Sequence, residues 1–291
     1  MTKLNMSFGS KVTLLVCAFV VGLFVASTFM LVLPRLGVEG RVAMTLSTIV
    51  QDVLVFIFPA VLVSMFGGGC ARALRLSVRP SWRQVLLVVA VYVVSLPAMN
   101  WLVEANKAIT LPPSLHGVEQ WMRASEDAAL AVTNQLLGST SLLAMLCMVA
   151  VVGFLAALSE EMFFRGALLG MSLDRGVHAH AAVWVVAFVF SAFHMQFYGF
   201  FPRLLLGAWL GYLMLWSRSL WLPVIAHTIN NAMVVVFTYL ANIHLVDSGW
   251  LDTLGVPAAG QFPWLAAAST VATAVVIAFA LRSRMLHGKH D

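Results

Sequence analysis

Apolar residues fill eight long stretches of this 291-residue chain, each bounded by charged residues, glycine or proline. About 20 apolar residues in a row suffice to cross the roughly 30 Å hydrocarbon core of a bilayer as a helix. Because lipid offers no partners for backbone hydrogen bonds, such stretches predict helices. The predicted helices cover residues 12–33, 43–66, 85–103, 141–172, 179–198, 203–216, 219–241 and 263–281.

The composition agrees with a membrane protein, because 61% of the residues are hydrophobic and only 10% are charged. We therefore predict an all-α, polytopic transmembrane helix bundle of about eight helices, forming a single integral membrane domain over residues 1–291. Its motif-bearing core covers about 141–241. The segment at about 119–137 mixes apolar and charged residues, which predicts an interfacial helix lying at the membrane surface.

The basic residues are distributed unevenly between the two sides of this bundle. Twelve of the 17 Lys and Arg residues lie at the termini or in the connections that follow even-numbered helices, if Arg165 near the end of the fourth helix is counted with its connection, and five lie in the other connections. The positive-inside rule then places both termini in the cytoplasm, for a protein of the plasma or inner membrane. The net charge of +5 is spread over loops, so we expect the lipid bilayer and no nucleic acid as a partner.

Three ionisable side chains, Glu160, Glu161 and Arg165, interrupt the fourth apolar stretch. A charged group at the bilayer centre costs on the order of 2.5–3.5 kcal/mol on insertion scales, so these groups need partners, water or a function. Glu161 and Arg165 are four residues apart, which predicts an ion pair on one helical face. Glu160 lies about 100° round the helix axis and is free to face a cavity.

Two of the eight histidines, His194 and His227, fall well inside later apolar stretches. Phe190 precedes His194 by one helical turn, and Asn231 follows His227 by one turn. Counted from turns on one side of the membrane, Glu160 and His194 lie at roughly 20 and 24 Å. On the same count His227 and Asn231 lie at roughly 12 and 18 Å. These four side chains can therefore share one cavity inside the bilayer.

Together these groups have the chemistry that peptide hydrolysis requires. A carboxylate such as Glu160, poorly solvated, can act as a general base, and His194 can help to orient and deprotonate a water. His227 and the Asn231 amide can then donate hydrogen bonds to the oxyanion. The alternative without catalysis is a buried polar network that only joins helices.

Three motifs occur in order: E-E-x-x-x-R at Glu160, Glu161 and Arg165, F-x-x-x-H at Phe190 and His194, and H-x-x-x-N at His227 and Asn231. Over about residues 160–231 the chain thereby resembles the CPBP family, which includes type II CAAX prenyl endopeptidases and bacteriocin-processing or Abi-like proteins. The resemblance implies that Glu160 with His194 activates water, while His227 with Asn231 stabilises the oxyanion. Glu161, Arg165 and Phe190 are the expected supporting residues.

The sequence does not decide whether the protein uses no cofactor or a divalent metal such as zinc. Family members are often described as metalloproteases, and a metal-free water activated by glutamate is the other account. The chain has no H-E-x-x-H sequence. If a metal binds, the candidate ligands are Glu160, His194 and His227, two imidazoles and a carboxylate that zinc can accept.

The leading hypothesis is an intramembrane endopeptidase acting on a membrane-associated peptide or protein that is hydrophobic or lipid-modified, of which a CAAX-type substrate is one case. One alternative is a non-catalytic membrane partner or bacteriocin-immunity factor that uses the same cavity for binding. A transporter is the third, although the sequence has no visible inverted repeat.

Asp52, in the second stretch, either lines this cavity or marks a later start of its helix, and we favour the later start.

Overall fold

The computed structural model describes residues 6–67, 69–247, 249–283 and 285, and over these residues it contains helices and no strand. Seven helices of this part of the chain are long and apolar enough to cross a membrane. In chain order, with two further helices included, the elements are α1 (Phe8–Leu36), α2 (Gly40–Ser64), α3 (Trp82–Lys107), α4 (His116–Leu137), α5 (Leu142–Asp174), α6 (Ala179–Phe193), α7 (Phe197–Ser217), α8 (Trp221–Asn242) and α9 (Trp264–Arg282). The predicted all-α polytopic bundle is confirmed.

Helix α6 is shorter than the sequence predicted, because it ends at Phe193 instead of residue 198. Its 15 residues span roughly 22 Å, less than the thickness of the hydrocarbon core. Met195 has a φ of 54°, in the left-handed region that ends helices, and the chain reverses there into α7. His194, which was expected well inside a helix, therefore lies at the end of one.

The predicted interfacial segment forms helix α4, which begins three residues earlier than expected. Near its start, the rings of Trp121 and Phe197 lie 5.0 Å apart, and the Arg123 guanidinium lies 5.1 Å from the ring of Tyr198. Its last two residues, 136 and 137, are buried. Helix α4 thus packs against the first residues of α7, close to the end of α6 that carries His194.

Aromatic side chains join α1, α2, α5 and α6 at the level of the acidic motif. Their ring centroids lie 5.0 to 6.2 Å apart, at tilted or edge-to-face angles that aromatic pairs favour. The rings belong to Phe19, Phe56, Phe163, Phe164 and Phe193. Because Phe163 and Phe164 closely follow the two glutamates, this cluster fixes the part of α5 that carries them.

Helix α5 is not a uniform α-helix, since wide π-helical turns cover Val149–Leu155 and Met162–Leu169. Between them the six residues Ala156–Glu161 are α-helical. Helix α2 has a similar wide turn over Asp52–Ile57. Wide turns of this kind are frequent at functional sites, because they change the direction of side chains and free backbone carbonyls for other partners.

Candidate active site

Glu161 and Arg165 form the ion pair that their spacing predicted. The Arg165 Nη1 atom donates to Glu161 Oε1 at 2.7 Å, and both side chains are fully buried. The Nη2 atom donates to the carbonyl of Gly207 on α7 at 2.9 Å. Arg165 Cζ also lies 4.4 Å from the centre of the Phe190 ring on α6. This pair therefore ties α5 to both α6 and α7.

His227 on α8 lies between the two glutamates. Its Nδ1 atom is 2.8 Å from Glu161 Oε1, and because an ionised carboxylate only accepts hydrogen bonds, Nδ1 carries the proton. Its Nε2 atom faces Glu160 Oε2 at 3.8 Å, too far for a direct hydrogen bond. Glu161 thus orients His227 as well as Arg165, a second role that the sequence spacing did not reveal.

Glu160 is one of three acids of this cluster with a buried oxygen that has no hydrogen-bond partner among the described residues, the others being Glu161 and Asp52. The Glu160 side chain is 17% exposed, and its unpaired oxygen is Oε2. A buried acceptor left unpaired costs about 1–3 kcal/mol, more when it is charged. Such an atom is suited to bind a reactant, and it points toward His227.

His194, at the end of α6, lies near Glu160 and His227. Its Nδ1 atom lies 2.8 Å from the Phe190 carbonyl, which can only accept, so the lone pair of the neutral ring is on Nε2. His194 is close enough to Glu160 and His227 to interact electrostatically with both. The Phe190 ring lies 4.9 Å from His194 and 5.8 Å from His227. Phe190 therefore packs against both imidazoles.

Asn231 lies one turn beyond His227 on α8 and contacts the backbone of α5. Its Nδ2 atom donates to the Val152 carbonyl, in a wide turn of α5, at 3.2 Å. Its Oδ1 atom accepts from Asn230 at 3.2 Å. One amide proton is left for another partner. The structure thus brings Glu160, His194 and His227 together, while the contacts of Asn231 attach it to α5.

The preferred explanation of Asp52 was wrong. Helix α2 begins at Gly40, twelve residues earlier, and Asp52 is 4% exposed in its middle. Ser159 Oγ donates to Asp52 Oδ1 at 3.2 Å, and Oδ2 has no partner among the described residues. Asp52 also interacts electrostatically with Glu160. It therefore lies beside the site, and an acid within an apolar stretch was the signal that could have found it.

The residues present do not fit a metal centre of the expected kind. Within the described part of the chain, no group of three or more His, Cys, Asp and Glu side chains is placed to hold a metal ion. Glu160, His194 and His227, the candidate ligands, therefore do not form a three-ligand set, and a metalloprotease is not supported.

The helices and the cluster define an integral membrane protein with a buried glutamate and two imidazoles at the centre of a helix bundle. Residues 142–233 match the family model described as type II CAAX prenyl endopeptidase, Rce1-like, which confirms the recognition of the CPBP family for the part of the chain that carries the motifs. The match to this family supports a protease as the general class of this protein. No curated protein and no solved structure matches the chain.

Proposed function

We propose that this chain is an intramembrane endopeptidase whose Glu160 activates a water molecule for attack on a peptide bond. One observation carries the proposal: the buried, unpaired Oε2 atom of Glu160 faces Nε2 of His227 across 3.8 Å. Glu161 and Asp52 also have an unpaired buried oxygen, but each is held through its other oxygen, whereas the Glu160 side chain is 17% exposed and can meet a reactant. An unpaired carboxylate oxygen beside an imidazole supports a reactive site.

The first step is the attack of water on the substrate carbonyl. Glu160 removes one proton from the water, and Nε2 of His194 accepts a hydrogen bond from the other O–H and so orients it. The resulting hydroxide adds to the carbonyl carbon, which becomes tetrahedral. The hydrogen bond from His194 to the Phe190 carbonyl supports this step, because it keeps the lone pair of the ring on Nε2.

The second step requires donors for the oxyanion and a proton for the leaving amine. In this account His227 is an imidazolium throughout the cycle, with Nδ1–H on the Glu161 carboxylate, and its Nε2–H donates to the oxyanion without being transferred. The remaining amide proton of Asn231 is the second donor. The C–N bond then breaks, and Glu160 passes its proton to the amine nitrogen. The products are a new carboxyl terminus and a new amine, and Glu160 is ionised again.

The substrate class follows from where the site lies and from the family. The reactive groups are inside a bundle of apolar helices, so the substrate is a membrane-associated peptide or protein that is hydrophobic or lipid-modified. Type II CAAX endopeptidases, the family that matches, point to a prenylated C-terminal segment as one such substrate.

A cleavage assay in liposomes tests this proposal. The full chain is incubated with a farnesylated peptide that ends in a CAAX sequence, with the same peptide lacking the farnesyl group, and with an unmodified transmembrane peptide. We expect a released tripeptide from the farnesylated peptide, detected by mass spectrometry. Binding of the peptides without any cleavage product would contradict the proposal and favour a non-catalytic partner or immunity factor.

We also infer that both termini are cytoplasmic, with the short α6 counted as an eighth crossing beside the seven long helices and α4 at the opposite membrane surface. The proposal rests on eleven basic residues on one side and five on the other, because Arg165, which the sequence count included, is buried inside α5. Reporter fusions at the C-terminus and within residues 247–261, between α8 and α9, should lie on opposite sides of the membrane. A shared side would contradict this topology.

A further inference from the structure

A second cavity lies at the end of the bundle where α5 and α7 both finish. It has a volume of about 360 Å³ and is lined by Arg75, Leu173, Leu215 and Arg218. Thirteen residues of α5, or roughly 20 Å of helix, separate Glu160 from Leu173. This cavity, here named the arginine pocket, is therefore distinct from the candidate active site.

Two positive charges line the arginine pocket, that of Arg75, which is partly buried, and that of Arg218, which is exposed. Arg75 is half-buried, and its one acidic neighbour, Asp174, lies 3.9 Å away with 74% of its side chain exposed. Burial lowers the pKa of the Arg75 guanidinium from its usual value, Asp174 opposes this effect, and the positive charge of Arg218 adds to it. Arginine still keeps its proton. A bound anion would relieve the repulsion between the two guanidinium groups.

The backbone at both arginines adopts a conformation that favours glycine. Arg75 and Arg218 each have a φ of 56°, and they are two of the four non-glycine residues with positive φ in the described part of the chain. Arg218 occupies the left-handed cap of α7, where glycine is the usual residue. Strained positions of this kind cluster at ligand-binding sites. Arginine at both positions therefore indicates that the side chains have a use.

Hydrogen bonds fix the two turns against each other. The backbone N–H of Leu220 donates to the Arg75 carbonyl at 3.1 Å. The indole of Trp221 donates to the Leu76 carbonyl at 2.8 Å. The two arginines are thus held on adjoining, connected turns, which reduces the conformational entropy lost when a ligand binds.

We propose that the arginine pocket binds the phosphate of an anionic phospholipid headgroup. Guanidinium groups match phosphate oxygens in geometry and charge. The pocket lies where membrane-crossing helices end, at the level of lipid headgroups, and basic pockets between such helices bind anionic lipids. The two leucines suit the apolar part of a lipid next to its phosphate. A free phosphate shares the charge but makes no use of the leucines.

Lipid retention by the purified full chain tests the proposal. Native mass spectrometry in detergent compares phosphatidylglycerol with phosphatidylcholine of the same acyl chains, and inorganic phosphate is added as a competitor. We expect the wild type to retain phosphatidylglycerol about tenfold more than phosphatidylcholine, since the charged contacts select the anionic lipid. Millimolar inorganic phosphate should not displace the bound lipid.

Glycine variants separate the guanidinium groups from the backbone. In the double variant Arg75→Gly/Arg218→Gly the left-handed conformation is kept without a side chain, so the fold should persist while the preference for phosphatidylglycerol is lost. His244→Gly is the matched control, because His244 also has a positive φ, of 57°, and does not line the pocket. It should retain the lipid as the wild type does.

Three results would overturn the proposal. The first is equal retention of both lipids by the wild type, which needs no variant. The second is an unchanged preference in the folded double glycine variant. The third is displacement of the lipid by inorganic phosphate at comparable concentration, which would assign the pocket to a soluble phosphate. If the glycine variant does not fold, Arg75→Gln/Arg218→Gln replaces it, with the same expected loss.

Discussion

The Nδ1 atom of His227 lies 2.8 Å from Oε1 of Glu161, and the same oxygen accepts a hydrogen bond from Arg165 at 2.7 Å. One buried carboxylate oxygen thus holds an imidazole of α8 and a guanidinium of α5 in fixed positions. The imidazole then presents its other nitrogen to Glu160 at 3.8 Å. The relative position of the two proposed reactive groups therefore depends on Glu161.

Glu161→Gln should reduce turnover much more than it affects substrate binding. The amide can still accept a hydrogen bond from Nδ1, but it no longer stabilises a protonated His227. We expect kcat to fall about 10²-fold or more, with KM nearly unchanged, because the lost interaction strengthens in the transition state. Steady-state kinetics on a cleaved peptide measure both constants. An unchanged kcat would mean that Glu161 has only a structural role.

Arg165→Leu should destabilise the fold, because it leaves Glu161 buried without its cationic partner. We expect a loss of about 3–5 kcal/mol in the free energy of unfolding. Arg165→Leu/Glu161→Leu should recover part of this loss, since the unpaired charge is then gone. Melting in detergent measures the differences between these proteins.

The partly exposed pair Glu119–Arg123 is the matched control for Arg165, because it has the same spacing and a hydrogen bond of 2.6 Å. Arg123→Leu should change the melting behaviour far less, since neither side chain of this pair is fully buried and the Arg123 side chain is 54% exposed. Equal losses at Arg165 and Arg123 would contradict the importance of burial. Equal losses in the single and double variants at Arg165 would show that the pair is not coupled.

Gly22→Ala should push α1 away from α2. A Cβ atom at Gly22 would overlap the backbone carbonyl of Leu54, which cannot move as a side chain would. Small residues allow such close approach of helices in membranes. We expect a loss of about 1–3 kcal/mol in the free energy of unfolding, the usual effect of overpacking.

Gly117→Ala is the control for Gly22→Ala, because Gly117 is helical and exposed, and a methyl group added there would meet open space. Alanine should be neutral or slightly stabilising there, by up to about 1 kcal/mol, because it has the higher helix propensity. Melting in detergent compares the two variants. A similar loss in both would contradict the close packing of α1 on α2.

The sequence predicted the fold well because apolar length alone decides which segments cross a membrane. It also predicted the ion pair of Glu161 with Arg165, since both residues lie on one helix and a spacing of four positions places them on the same face. Contacts between helices were harder to predict. The hydrogen bond from His227 to Glu161 joins residues 66 positions apart, and no spacing rule reports such a distance.

The errors have the same physical origin. The end of α6 depends on Met195 in a left-handed conformation, which its sequence does not favour, so His194 was placed too far inside the helix. Asp52 was attributed to the start of a helix because its partner, Ser159, lies on another helix. In each case the tertiary packing decides where the side chain lies. The local sequence pattern contains no information about that packing.

Removal of metal ions should leave the activity unchanged. The described residues offer no group of three ligands around Glu160, so the water is activated by the carboxylate in our account. We expect cleavage to survive dialysis against a strong chelator, and elemental analysis of the active protein to find no stoichiometric zinc. Stoichiometric zinc that disappears in His227→Ala, with loss of activity on chelation, would contradict this mechanism.

The most direct test of the account is the turnover of Glu160→Gln in liposomes, measured together with peptide binding. Glutamine has nearly the same shape but cannot take a proton from water, so cleavage should fall to background while peptide affinity stays within about twofold of the wild type. Glu39→Gln, an exposed glutamate at the start of α2, is the control and should cleave normally. A folded Glu160→Gln protein that still cleaves at a rate near that of the wild type would contradict the central claim.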